Sequence, residues 1–202
     1  GPFSYRTYAG SYVDAARPHT SLPLKQAVIS ASALSLLYPQ DGIDGYPREA
    51  FLDDLAAEAE ADIRSALVAG AHSVQVDFTE GRLAVKLDPS KQLLDDFVAL
   101  NNRVLGRFTP AERARLGVHT CPGGDRDSTH SADVDYADLL PSLFALEAGR
   151  FYVALAGEGN PERVLRIIGE HVRPHQTVFV GVVDPIDPRV ETPEEVCARV
   201  LR

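Results

Sequence analysis

The chain has 202 residues, 45% apolar and 24% charged, with 15 Gly and 14 Pro, which is the composition of a globular domain and excludes a disordered tail, a coiled coil and a collagen. Twenty Lys and Arg stand against 29 Asp and Glu, a net charge of -9 that tells against a nucleic-acid partner, because that affinity rests on Lys/Arg–phosphate contacts. Two cysteines far apart in sequence are no disulfide framework, no stretch is long and apolar enough to span a bilayer, and residues 1–6 lack the pattern of a signal peptide. The expectation is a protein of the cytoplasm. Gly1-Pro2 in place of an initiator Met reads as a piece of a longer chain.

In chain order, residues 24–30 (LKQAVIS) predict a strand after Pro23. Over residues 48–69, Phe51, Leu55, Ala59, Ile63 and Leu67 recur every four positions and predict one apolar helix face, with Pro47 before it and Gly70 after it. Residues 72–77 (HSVQVD) predict a second strand. Residues 90–108 predict a helix, with Ser90 as its N-cap. Thr109-Pro110-Ala111-Glu112 carries the capping hydroxyl, early Pro and third-position Glu of a short helix. Residues 117–120 (GVHT) form a third strand, followed by a polar loop to about 133. A helix over 136–148 is broken or restarted at Pro141. A strand at 151–156, a helix at 161–172, the apolar strand 177–183 and a helix from 193 complete the chain.

Five strands alternating with helices predict parallel α/β architecture, and an all-apolar run such as 178–183 predicts strands covered on both faces. The open choices are a doubly wound sheet and a (β/α)8 barrel. A full barrel takes about 250 residues, so five strand–helix units would be an incomplete one. No linker divides the chain, and residues 1–202 read as a single domain.

In both architectures, chemistry collects at the carboxyl ends of the strands. Asp77, His119, Cys121, Glu158 and Asp184 all fall there. His119 and Cys121 are two apart, so in extended chain they point the same way, and sulfur with imidazole suits zinc. On spacing alone, a buried thiol beside a loop histidine is the simpler reading of the pair. Asp77 suits either an amine of a substrate or a turn. Glu158 suits a third ligand or a solvated loop. Asp184 before Pro185 reads as a turn residue. Arg82, Lys86, Lys91 and Arg126 lie just after strand ends and suit an anionic tail or plain surface. The loop 125–130 is polar enough for a lid, and Cys197, flanked by Val196 and Val200, reads as packing. No phosphate loop, dinucleotide fingerprint or nucleophile elbow is present.

Residues 22–202 resemble the catalytic C-terminal domain of cobalamin-independent methionine synthase and its shorter bacterial relatives. The matching features are the strand ending in Lys25-Gln26-Ala27-Val28-Ile29-Ser30, then Val74-Gln75-Val76-Asp77, His119-x-Cys121 followed by Pro-Gly-Gly, Val180-Gly181-Val182-Val183-Asp184, and Arg189-Val190-Glu191. The resemblance implies a TIM barrel and a zinc-dependent S-methyltransferase. It implies methyl transfer from 5-methyltetrahydrofolate, carried as a polyglutamate, to a thiol such as homocysteine. It implies His119 and Cys121 on zinc with Glu158 as a further ligand. It also implies Asp77 on the amino group of the substrate; Ser30 and Arg126 are read as further substrate contacts. Leu155 falls where strict register puts the family's ligand Glu, and Ile186 where the synthase has a proton-donating His. Two alternatives follow. One is an enzyme of the same ancestry that acts on another thiol substrate. The other is a non-catalytic barrel fragment forming a homo-oligomer to cover open sheet edges.

Overall fold

The computed structural model describes residues 2–123 and 131–202. Five parallel strands form one sheet in the order of the sequence: β1 (Lys25–Ile29), β2 (Ser73–Asp77), β3 (Leu116–Thr120), β4 (Arg150–Ala154) and β5 (Thr177–Gly181). Between them run α2 (Ala31–Ser35), α3 (Arg48–Val68), α4 (Glu80–Leu87), α5 (Gln92–Leu105), α6 (Pro110–Arg113), α7 (Tyr136–Leu143) and α8 (Pro161–His171). A short α1 (Gly10–Ala16) precedes β1, and α9 (Pro193–Val200) follows β5. No helix among the described residues is long and apolar enough to cross a membrane.

The strand order decides between the two predicted architectures. A doubly wound sheet reverses direction at a switch point; this one does not. With right-handed crossovers, steps that never reverse place every helix on the same face. This is the winding of consecutive barrel strands. The sheet is nevertheless open between β1 and β5, so the expected barrel is not closed among the described residues.

Burial follows this one-sided cover. Val74, Val76, Leu116, Val118, Phe151 and Val153 face the helices and are buried. Their neighbours in sequence face the other side: Gln75, Asp77, His119 and Tyr152 are half-buried, while Ile29 and Phe179 are exposed. The expectation of strands covered on both faces is therefore corrected. Phe179 of β5 is exposed because no layer lies against the far side of the described sheet, while Val178 and Val180, on the helix side beside Phe151 and Val153, are half-buried at the sheet edge.

Several local predictions change in detail. The helix expected from Ser90 starts at Gln92, because Lys91 takes a left-handed φ of 68° and the Asp88 carboxylate accepts the Leu93 N–H at 2.9 Å. Pro141 does not break its helix in two; α7 runs through it and ends at Leu143. Cys197 is exposed rather than packed. The capping box of Thr109 and Glu112 forms as its residues predict.

Candidate functional site

β2 and β3 pair in register, with Asp77 opposite His119. Both side chains lie on the helix-free face, so the ring and the carboxylate meet: His119 Nδ1 is 3.2 Å from Asp77 Oδ1. Gln75, two residues before Asp77 on the same face, donates to that oxygen at 2.6 Å. Lys25 of β1 donates to Gln75 Oε1 at 2.8 Å and stands 4.1 Å from the centre of the Tyr152 ring. Among the described residues no partner meets the second Asp77 oxygen, Oδ2, and the side chain is 41% exposed. Cys121 follows β3 on the same face as His119, and the thiol and imidazole are close enough to shift each other's ionisation. Thr120 between them turns to the helix side and is buried, as the pleat requires.

The charges are coupled. The hydrogen bond to Asp77, joined by the nearby Cys121 sulfur, pushes His119 up to about 9 despite burial. Burial works against ionisation of the Cys121 thiol, but the His119 ring and the Gly123 N–H outweigh it and bring the thiol down. Burial likewise opposes the charge on Asp77, and the bonds from His119 and Gln75 more than offset it. A ring that donates Nδ1–H to a carboxylate offers its other nitrogen to a metal or a thiol, the usual arrangement behind a metal-bound histidine.

Cys121 opens onto a cavity of about 230 Å³ at the carboxyl ends of β3, β4 and β5. Its walls include Leu155, Glu158, Asp184 and Ile186. Glu158 is not idle there: Arg82 Nη1 donates to its Oε1 at 2.7 Å. Arg82 is almost fully buried. Its other terminal nitrogen donates to the Val134 carbonyl at 2.7 Å, and its guanidinium lies 4.4 Å from the centre of the Tyr136 ring. Tyr136 in turn donates to the Thr120 carbonyl at 3.2 Å. A buried arginine thus ties the ends of β2, β3 and β4 together.

The zinc set fits in part. His119 and Cys121 converge as a soft donor pair, with Asp77 orienting the imidazole. Glu158 faces the same cavity but is held by Arg82, and the described residues contain no group of three His, Cys, Asp or Glu side chains placed to share an ion. Ser30 does not present its hydroxyl to the rim. It caps α2, accepting the Ala33 N–H at 3.0 Å, and donates to buried Glu80. Arg82, read as a grip for an anionic tail, is spent on Glu158 and backbone carbonyls, and Lys86 and Lys91 are bonded to Asp133 and Asp138 at 2.9 Å. Asp184 Oδ1 accepts the Ile186 N–H at 3.0 Å, the turn its Asp-Pro pair predicts. Arg126 and the loop 125–130 lie outside the described residues.

Lys25, Gln75 and the Arg82 hub were not singled out for these roles by sequence. The signal for Arg82 was its spacing: on α4 it lies three residues before buried Val85, on the same face.

No family model matches the chain, and no curated protein matches it. Among solved structures, it is similar to a B12-independent methionine synthase from Shewanella sp. W3-18-1, solved in complex with selenomethionine. The TM-score is 0.71 at 21% identity, over 98% of this chain and 56% of that one. It is also similar to a putative vitamin-B12-independent methionine synthase from Listeria monocytogenes, with a TM-score of 0.70 at 20% identity over 100% of this chain and 59% of that one. The chain spans less than two thirds of either structure, and the likeness is one of fold.

Proposed function

We propose that the chain is a methyltransferase-type unit of the B12-independent methionine synthase lineage that activates a small thiol at its carboxyl rim. The supporting observation is the convergence of Asp77, His119 and Cys121 beside a cavity, in a fold shared with methionine synthases. In this reading His119 and Cys121 hold zinc. When bound, zinc would supply a Lewis acid that keeps a substrate thiol deprotonated at neutral pH.

The chain's own residues do the rest. Asp77 Oδ1 fixes the His119 ring, while Oδ2 is open to an ammonium group of the thiol substrate. His119 and Gln75, with the charge of Lys25 beyond them, hold Asp77 ionised. Leu155 and Ile186 give the cavity an apolar wall that fits a short aliphatic chain. Glu158 is bound to Arg82 through Oε1, which leaves Oε2 as the oxygen it would offer a metal. The substrate sulfur then takes the methyl of a 5-methyltetrahydrofolate-type donor as the methyl–nitrogen bond breaks, and the departing folate nitrogen takes up a proton from solvent. Ile186 in the cavity wall favours one further reading, an enzyme of the same ancestry that works on another thiol-bearing substrate and needs no proton donor there.

The test is metal content and methyl transfer together. Zinc-loaded protein is expected to hold about one zinc per chain, lost in His119→Ala and in Cys121→Ala, and to methylate homocysteine from a folate donor bearing one or several glutamates. Zinc content indifferent to both substitutions, or no methylated product from loaded protein with any thiol, sinks the first reading.

A further inference from the structure

A second cavity, about 440 Å³, lies at the opposite end of the sheet, where the chain enters β3, β4 and β5. It is nearly twice the volume of the rim cavity. Arg113 at the end of α6, Glu147 and Gly149 before β4, and Arg173 and His175 before β5 form its polar walls. Arg113 is paired with Glu147. Among the described residues, the side chains of Arg173 and His175 have no carboxylate partner. A chain of net charge -9 therefore gathers two guanidiniums and an imidazole against one carboxylate in one hollow.

The backbone of the walls is fixed, and Arg173 and His175 stand exposed on it. Buried Gln176 accepts the Arg173 N–H at 2.9 Å, and its own N–H returns to the Arg173 carbonyl at 2.9 Å. Its side-chain amide donates to the Phe144 carbonyl at 3.3 Å. Pro174 stiffens the turn between Arg173 and His175. On the facing side, the Gly149 N–H donates to the Arg113 carbonyl at 2.9 Å, and a Cβ at Gly149 would fall 2.7 Å from the Ala114 Cα, so only glycine lets these two segments meet.

We propose that this basal cavity binds a phosphate-bearing small molecule. A planar guanidinium presents paired donors to a tetrahedral oxyanion, an imidazole adds another, and 440 Å³ lies in the range of small-ligand sites. Glu147 restrains Arg113 until a competing anion arrives. The site is separate from the thiol rim, so it stands or falls independently of the proposed methyl transfer.

Calorimetric titration of the 202-residue chain with inorganic phosphate at low ionic strength tests it. Saturable binding of one phosphate per chain is expected, weakened about tenfold in Arg173→Gln and in His175→Gln, the cost of one charge-assisted hydrogen bond. Glu147→Gln, which releases Arg113, is expected to bind more tightly. The exposed Arg166→Gln of α8 is expected to bind as the wild type does. Three results overturn the proposal: no saturable binding, equal affinity for malonate, or Arg173→Gln and His175→Gln proteins that bind as tightly as the wild type.

Discussion

The two faces of the sheet are built from alternate residues of the same strands, and they do different work. On the helix side, Val74, Val76, Leu116, Val118, Phe151 and Val153 are buried among apolar side chains. On the other side, Lys25, Gln75, Asp77 and His119 form a chain of polar contacts across three strands, and Tyr152 stacks on Phe179 with ring centres 5.0 Å apart. A one-residue step along β3 goes from Val118, in the dry core, to His119, whose side chain is 30% exposed. Stability is concentrated on one face and titratable chemistry on the other. The polar set is held in place by strand register rather than by burial.

The most direct way to break this contrast is to cut equally into both faces. Phe151 is fully buried and packs on Phe144 at 5.0 Å between ring centres. Phe151→Ala is expected to cost about 3–5 kcal/mol in urea unfolding. Phe179 is 47% exposed and leans mainly on Tyr152, so Phe179→Ala is expected to cost about 1 kcal/mol or less. Equal losses would mean that the outer face is as much a core as the inner one, and the division of labour would be wrong.

Much of this contrast was legible in the residues. The alternation in Val74-Gln75-Val76-Asp77 and Leu116-Gly117-Val118-His119 marks one buried and one polar face. The strand ends place Asp77, His119 and Cys121 on one rim. What the pattern could not give was the cover. An apolar run such as 178–183 fits a strand buried on both sides or on one, and only the position of the helices tells which. Nor could it give the partner of Glu158. Arg82 is 76 residues away and reads as a solvated charge until its place beside Val85 on the buried face of α4 is weighed; the fold, not the local sequence, brings the two to 2.7 Å. Ser30 is a similar case. A serine at a strand end fits a substrate contact or a helix cap, and the backbone of α2 claims it as a cap.

Arg82 sharpens the comparison, because it is a charge that crosses to the buried side. Arg82→Met is expected to cost about 3 kcal/mol, since it leaves the Glu158 carboxylate unpaired and the Val134 carbonyl without its donor. Adding Glu158→Gln is expected to restore part of that loss, a coupling of about 1–3 kcal/mol in a double-mutant cycle. Additive losses would show that the pair contributes nothing jointly and that Arg82 serves only the backbone carbonyls and Tyr136.

The smallest expected effect is on titration, and it tests whether register alone sets the rim's charge. In zinc-free protein the His119 ring is expected to titrate near about 9, mainly through its bond to Asp77 and next through Cys121. A histidine raised in the fold adds stability that is fully present below its unfolded value, about 6.5, and that fades as pH rises through about 9. Cys121 runs the other way: a lowered thiol adds stability above the free-thiol value that is lost as pH falls through the folded one. Asp77→Asn keeps the shape of the contact and removes its charge. The His119 midpoint, read from the ring resonances by NMR, is expected to fall toward the ordinary imidazole value, and the loss of stability between about pH 6.5 and 9 to shrink with it. Because Asp77 faces His119 only by virtue of the β2–β3 pairing, a midpoint unmoved by Asp77→Asn would mean that the two side chains do not meet in solution, and the rim would lose the carboxylate that orients its imidazole.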